Sequence, residues 1–342
     1  MNQSSDYESI LSQIHQPAFI VQDGLITAIN QNAANRFIET NIAADDLISQ
    51  GKEEYSQLQN GTLYLSINLC GTDYPCVVTC LEDGKLFTVE TETVPSELRV
   101  LSLAAQQLSF PISELTMLLD QLQDHPKKAQ INQNLSRLKR IIRNMADTAR
   151  YEGTMSNLHY CNATAVFAEI LEKSQTLLSQ SGIKLTYQLP DQPVYSMVNQ
   201  EMLRRAIYNL LSNAAKFSSN QAVGVKLTQT GSKLYFTVNS QNSSKNTVGN
   251  PFNRYLRQPG LEERKYGLGL GMSLIHAAAV VHGGTVLVEQ NKKDQFRITV
   301  TLSVTKNDDS FVRSPILFPD VYGGNDQALV ELSDVLSSEL YL

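Results

Sequence analysis

Basic residues are in short supply. The 342 residues carry 28 Lys and Arg against 34 Asp and Glu, a net charge of 28 − 34 = −6. A general nucleic-acid binder needs a basic footprint, so that class is excluded. Cysteine is scarce as well: Cys70, Cys76, Cys80 and Cys161 include no pair at the C-x2-C spacing of a zinc site. Three of them lie in strand-like sequence and are expected as buried small hydrophobes. The opening MNQSSDYES lacks the basic patch and apolar stretch of a signal peptide. The longest apolar run, Gly267 to Val281, is broken by glycines and His276. It falls short of the roughly 18–20 residues that a bilayer span needs. These absences predict a soluble, cytoplasmic chain with no membrane span. Only five histidines are present. What the chain does have is apolar matter for sizeable cores, 42% hydrophobic against 18% charged, and a length that predicts two or three domains.

The first ninety residues mix short helices with strands. PAFIVQD (17–23), a Gly24 turn and LITAINQ (25–31) form a hairpin pattern. TLYLSINLC (62–70), CVVTCLE (76–82) and KLFTVETE (85–92) are three more strands, the last two joined by the hairpin signal Asp83-Gly84. Residues 8–92 therefore predict an α+β module. The stretch QPAFIVQDGLITAINQNAANRF resembles the start of a PAS sensor domain, which implies a sheet curved around a small core. No heme-ligand or flavin-cysteine motif accompanies it, so dimerisation and small-ligand sensing stay open.

Residues 95–155 change character. Leu101, Ala105, Leu108, Ile112, Leu115, Leu119 and Leu122 are separated by alternating steps of four and three, and so are Ile131, Leu135, Leu138, Ile142, Met145 and Ala149. That is a heptad seam on each of two helices. Asp124-His125-Pro126 marks the turn between them. Pro111 should kink the first helix, because it removes a backbone donor. One hairpin leaves its seam half covered, so two copies should pair into a four-helix bundle, and a homodimer follows.

From Tyr160 onward the pattern is α/β. Asn209, Asn213 and Lys216 lie on a helical stretch, EMLRRAIYNLLSNAAKFS, at spacings of four and three, so they share one face. Two carboxamides and a lysine there can hold phosphate oxygens and a hydrated magnesium ion, which prefers oxygen ligands. Gly267, Gly269 and Gly271 directly precede another helix. Glycines at that place let backbone N–H groups approach phosphates. A Pro/Gly-rich linker (314–324) and a final amphipathic helix, DQALVELSDVLSSELYL, close the chain. The apolar stripe of that helix needs cover.

NLLSNAAKFS and YGLGLGMSLIHAAAVVHGGTVLVE resemble two nucleotide-binding boxes of the sensor histidine kinases, within the GHKL ATPase superfamily. The hairpin is similar to that family's dimerisation and phosphotransfer domain. The resemblance implies a multidomain α+β chain. Residues 8–92 would be a PAS-like sensor and 95–155 an antiparallel helical hairpin forming a dimeric four-helix bundle. Residues 158–305 would be an α/β-sandwich (Bergerat/GHKL) ATPase-like domain, and 306–342 a linker and C-terminal helix. It implies ATP and Mg2+ as cofactors, with Asn213 on the magnesium, Asn209 and Lys216 along the triphosphate, and Gly267, Gly269 and Gly271 at the phosphate lid.

Two departures stand out. The acceptor motif, roughly S-H-E-L-R-T-P-L in the family, is matched by Ala105-Gln106-Gln107-Leu108-Ser109-Phe110-Pro111-Ile112. Gln106 occupies the acceptor position, and its amide has no nucleophilic nitrogen comparable to imidazole. His125 lies 19 residues further on, about 28 Å along a helix. The adenine-box aspartate is also missing: Ser240 follows the strand LYFTVN. Exchanging a charge-assisted bond for the weaker one Ser240 can offer predicts an affinity loss of about 10–100-fold. The sequence thus predicts a two-component signalling protein of pseudokinase type. It would have a response regulator, a partner kinase or another signalling protein as its partner. Phosphorylation of a partner histidine in trans, or a nucleotide-free scaffold, are the alternatives.

Overall fold

The computed structural model describes residues 7, 10–14, 16–36, 38–90, 96–121, 126–151, 158–242, 270–290, 295–304 and 326–342. Strands β1 (Ala18–Gln22) and β2 (Leu25–Ile29) form the expected hairpin, turning at Asp23 and Gly24, both at positive φ. β4 (Thr62–Leu69), β5 (Thr72–Leu81) and β6 (Gly84–Val89) complete an antiparallel sheet in the order β2-β1-β6-β5-β4, with the short β3 (Ile48–Gln50) beside β4. Three short helices lie along it: α1 (Gln31–Ala34), α2 (Ala44–Leu47) and α3 (Lys52–Gln57). Side chains alternate along each strand, so one face collects Phe19, Leu63, Leu65, Val78 and Phe87 into a core. Phe19 and Phe87 stack with ring centroids 4.7 Å apart.

The two heptad runs become α4 (Ser96–Gln121) and α5 (Lys128–Tyr151), packed on each other. Ala105, Ile112 and Leu119 of α4 are buried, against Leu135, Ile142 and Met145 of α5. These α4 positions are every second member of the seam. Leu108 and Leu115, the members between them, are exposed, and so are Phe110 (73%) and Met117 (70%). α4 continues through Pro111 as one helix. The turn residues Asp124 and His125 lie outside the described residues.

The second half builds a mixed sheet. β8 (Lys184–Gln188) runs parallel to β10 (Ser218–Thr230); β11 (Lys233–Asn242), β13 (Gln295–Ser303) and β12 (Val286–Gln290) follow antiparallel. Helices α6 (Ala163–Gln180), α7 (Gln200–Phe217) and α8 (Leu270–Val281) share with this sheet a core that includes Phe167, Ile170, Leu203, Ile207, Phe236 and Ile275. β7 (His159–Asn162) and β9 (Tyr195–Val198) pair separately. Asn162 and Asn199 cap α6 and α7, each accepting an orphan backbone N–H of the first turn.

His282 ties the end of α8 to the start of α7. Its Nε2 accepts the Asn199 N–H at 3.0 Å, which puts the ring proton on Nδ1, 2.6 Å from the Ala278 carbonyl. Burial lowers its pKa, and the bond to Ala278 only partly opposes this. The folded state therefore binds a proton less readily than the unfolded chain. The contribution is complete above the unfolded value of about 6.5 and is lost as pH falls through the depressed folded value. Urea midpoints at pH 7.5 and pH 5.5 should differ in the wild-type chain, and His282→Gln should narrow the gap. An unchanged gap would count against this account.

The two sheets are one. β4 pairs antiparallel with β12 at Thr62–Val288, Leu63–Leu287 and Tyr64–Val286, so the strands run β2-β1-β6-β5-β4-β12-β13-β11-β10-β8 without a break. Side chains reinforce the join. Lys233 Nζ lies 2.6 Å from Glu54 and 3.3 Å from Glu53, Gln50 donates to the Gly284 carbonyl at 2.9 Å, and the Tyr64 and His276 rings meet tilted by 43° with centroids 3.5 Å apart. Burial works against charge on Lys233, but the two glutamates outweigh it and raise its pKa. Gly61 enters β4 at φ 97°, where a Cβ would stand 2.3 Å from the Val288 carbonyl oxygen.

One expectation needs correction. DQALVELSDVLSSELYL is not a continuous helix: α9 spans only Gln327–Glu331, and a 3-10 turn follows at Ser338–Tyr341. Between them the Ser333 and Leu336 carbonyls are taken by α5 side chains, while that of Leu332 still accepts the local Val335 and Leu336 N–H groups. Gln133 donates to Ser333 and Leu336 at 3.2 and 2.7 Å, and Arg137 donates to Ser333 at 3.1 Å. Tertiary donors here replace the i−4 bonds that would have extended the helix.

Candidate functional site

The polar face of α7 lies where α5, α8 and the C-terminal segment converge. Asn209 is buried; its amide donates to the Arg205 carbonyl at 3.0 Å, and its Oδ1 accepts from Arg140 of α5 at 3.3 Å. Gly271 opens α8 directly over this face. A Cβ there would sit 3.1 Å from Asn209 Oδ1 and 3.6 Å from Asn213 Nδ2. Asn209, Asn213 and Gly271 are therefore brought together as expected. Gly267 and Gly269 lie outside the described residues. Ser240 is buried on β11, in register with Val223 and Phe296. Gln106 is exposed on α4.

Lys216 has an unexpected companion. Its Nζ is 3.1 Å from Asp334 Oδ2, and Arg140 Nη1 reaches the same oxygen at 2.9 Å. Burial pushes the Asp334 carboxyl up, but Arg140 and Lys216 outweigh burial and hold it below the usual carboxylate range. Deeper in, Glu331 (0% exposed) meets Arg205 (3%) at 3.1 Å. Arg205 also pairs with Asp147 of α5 at 2.7 Å and donates to Asn144 at 2.9 Å. Of the expected apolar stripe, Leu332 and Leu336 are buried, while Leu329, Val335 and Leu340 are half-buried against the same core; Ala328, Val330 and Tyr341 are buried beside them, and Tyr341 accepts from Asn132 of α5 through its carbonyl. The segment thus finds the cover that its stripe requires.

Arg140, Arg205, Asp147, Glu331 and Asp334 were not singled out in the sequence. Their signal was faint: charged residues on otherwise apolar helix stripes, with partners far away along the chain.

The chemistry of this face fits a phosphate chain. Lys216 and Arg140 both reach one carboxylate oxygen of Asp334, so the pair is placed to hold an anion. Asn213 can offer one carboxamide oxygen to a magnesium ion whose other ligands are waters and phosphate oxygens. Among the described residues no cluster of three or more His, Cys, Asp or Glu could hold a metal by itself. A nucleotide's own phosphates would have to complete the coordination. When bound, ATP would supply a transferable phosphoryl group, and Lys216 would orient it.

Residues 198–306 match the HATPase_c family, the histidine kinase-, DNA gyrase B- and HSP90-like ATPases. Residues 198–306 are therefore a GHKL-type ATPase domain. The chain is similar to hybrid signal transduction histidine kinase D of Dictyostelium discoideum, 25% identical over 52% of this chain and 12% of that one. It is also similar to the sensor histidine kinase YcbM of Bacillus subtilis, 23% identical over 62% of this chain and 73% of that one. Its structure overlaps that of the histidine kinase ThkA in complex with the response regulator TrrA, at 14% identity, 87% coverage of this chain, 98% of that one and a TM-score of 0.42. Over residues 198–306 the chain carries an HATPase_c domain, and these relatives are histidine kinases. The chain spans about an eighth of its Dictyostelium relative and nearly three quarters of YcbM. Among the described residues no helix is long and apolar enough to cross a membrane.

Proposed function

We propose that this chain is a two-component signalling protein of histidine-kinase type that has no phosphoacceptor of its own and acts as a dimeric relay. Residues 8–92 form the PAS-like sensor, 95–155 the dimerising hairpin and 158–305 the ATPase-like domain, which reports to a partner kinase or response regulator. The observation that carries this reading is Gln106. It stands on the exposed face of α4 at the acceptor position, and an amide cannot take up and release a phosphoryl group as imidazole does. The dimer is supported by the uncovered half of the α4 seam: Leu108 and Leu115 stay exposed in one copy, and a second hairpin would bury them. About 0.8 kcal/mol per buried methylene makes that pairing favourable.

Incubation with γ-labelled ATP should leave no acid-labile, base-stable label on the wild-type chain above the level of Lys216→Met. Such a label would overturn the acceptor-less reading. In the same preparation, sedimentation at low micromolar concentration should give a dimer that Leu108→Glu/Leu115→Glu converts to monomer. A wild-type monomer would refute the bundle.

A further inference from the structure

The C-terminal segment is held by more than its apolar stripe. Side chains of α5 donate to its backbone at three carbonyls, Ser333, Leu336 and Tyr341. At its middle, Asp334 lies between Lys216 of α7 and Arg140 of α5, with Arg137 at 3.9 Å on its outer side. Just before it, Glu331 is enclosed by Arg205 and Arg140. This is a groove with cationic walls and a hydrogen-bonding rim, and its occupant is acidic where the groove is basic. The lysine that grips the acid is the one expected to grip phosphate.

We propose that the segment Asp326–Leu342 is an intramolecular ligand of the nucleotide site, with the Asp334 carboxylate occupying the position on Lys216 and Arg140 that a nucleotide's phosphate chain would take. The inference rests on α7 being a nucleotide-binding face, but not on the absence of a phosphoacceptor. A phosphate brought to the place on Lys216 and Arg140 that the Asp334 carboxylate fills would meet it as a like charge, so phosphate binding and segment docking compete. A closed state favoured tenfold would weaken the apparent nucleotide affinity about tenfold. Because the same segment bridges α5 and α7, its release removes one of the ties between the helical hairpin and the ATPase-like domain and leaves the direct pairs Arg205–Asp147 and Arg140–Asn209. Nucleotide occupancy and hairpin freedom are thereby linked, and the linkage is reciprocal.

The test titrates the full-length chain with trinitrophenyl-ATP and magnesium, read by fluorescence. Asp334→Asn keeps the shape of the side chain and removes its charge. It should bind the analogue about tenfold more tightly than wild type, while Lys216→Met should bind it more weakly than either. Far-UV circular dichroism and a cooperative melt establish that each variant is folded. A folded Asp334→Asn within twofold of wild type, or no binding by either chain, would overturn the proposal. The labelled-ATP result on Gln106 would stand in both cases. A second measurement needs no variant. Hydrogen exchange of wild-type peptides covering 327–341 should accelerate at least severalfold at saturating analogue, and unchanged exchange with the analogue bound would also overturn it.

Discussion

Replacing Arg205 by methionine should lower unfolding stability by about 3–5 kcal/mol, the usual result of stripping one partner from a buried ion pair. Glu331 and Asp147 would both lose the Arg205 guanidinium. Glu331 is fully enclosed and has no route to water, and Arg140 approaches it only to 3.9 Å. The loss should appear as a shift of the urea midpoint. It should come with earlier proteolysis near the C-terminus, because Glu331 is an anchor of that segment. The control is the preceding residue. Arg204 pairs with Glu169 at 2.6 Å, but that carboxylate is largely in water. An exposed pair of this kind contributes about 0.2–1 kcal/mol, so Arg204→Met should fall within that range. Equal costs for the two arginines would show that burial does not govern the network.

The second large effect concerns the seam in the sheet. Gly61→Ala should cost about 2–4 kcal/mol and split thermal unfolding into two transitions. Two penalties combine. A side chain at positive φ is strained by about 1 kcal/mol or more, and the added Cβ would collide with the Val288 carbonyl at 2.3 Å. That carbonyl belongs to β12, so relief of the collision must come by opening the β4–β12 ladder. Gly71 supplies the comparison: its φ is 84°, and a Cβ there would meet nothing within 4 Å. Gly71→Ala should carry only the backbone penalty, about 1 kcal/mol, and keep one transition. A single transition in Gly61→Ala, with a loss no larger than in Gly71→Ala, would mean that the two halves are not joined through this ladder.

Local patterns were legible and distant partnerships were not. The spacing of Asn209, Asn213 and Lys216 placed them on one helix face, and β4, β5 and β6 fall on the runs 62–70, 76–82 and 85–92 that alternation and turn residues marked. Such patterns depend on neighbours a few residues apart. The pairing of β4 with β12 joins segments more than two hundred residues apart, and no periodicity encodes which edge meets which. Arg204 and Arg205 are adjacent and chemically identical in the sequence. A turn of about 100° per residue sends one toward water and the other into a buried network. The C-terminal run showed that it needed cover, and α5, α6 and α7 supply it. Its helical period did not show that α5 amides would take its carbonyls and end the helix at Glu331. The acceptor position was readable because Gln106 stands inside a motif. Asp334 stands in none, and only the folded chain brings it to Lys216.

The continuous sheet bears on how this protein could be re-engineered. Sensor and output parts linked only by a helix can be recombined freely, provided the helix keeps its phase. Here a graft replacing the first ninety residues would also have to supply an edge strand in register with Thr62–Tyr64. It would need an acid to meet Lys233 and a glycine where the backbone passes Val288. A foreign sensor lacking these would leave β12 as a bare edge, open to pairing with another chain. The front of this molecule is therefore not an interchangeable cartridge but part of the wall of the domain behind it.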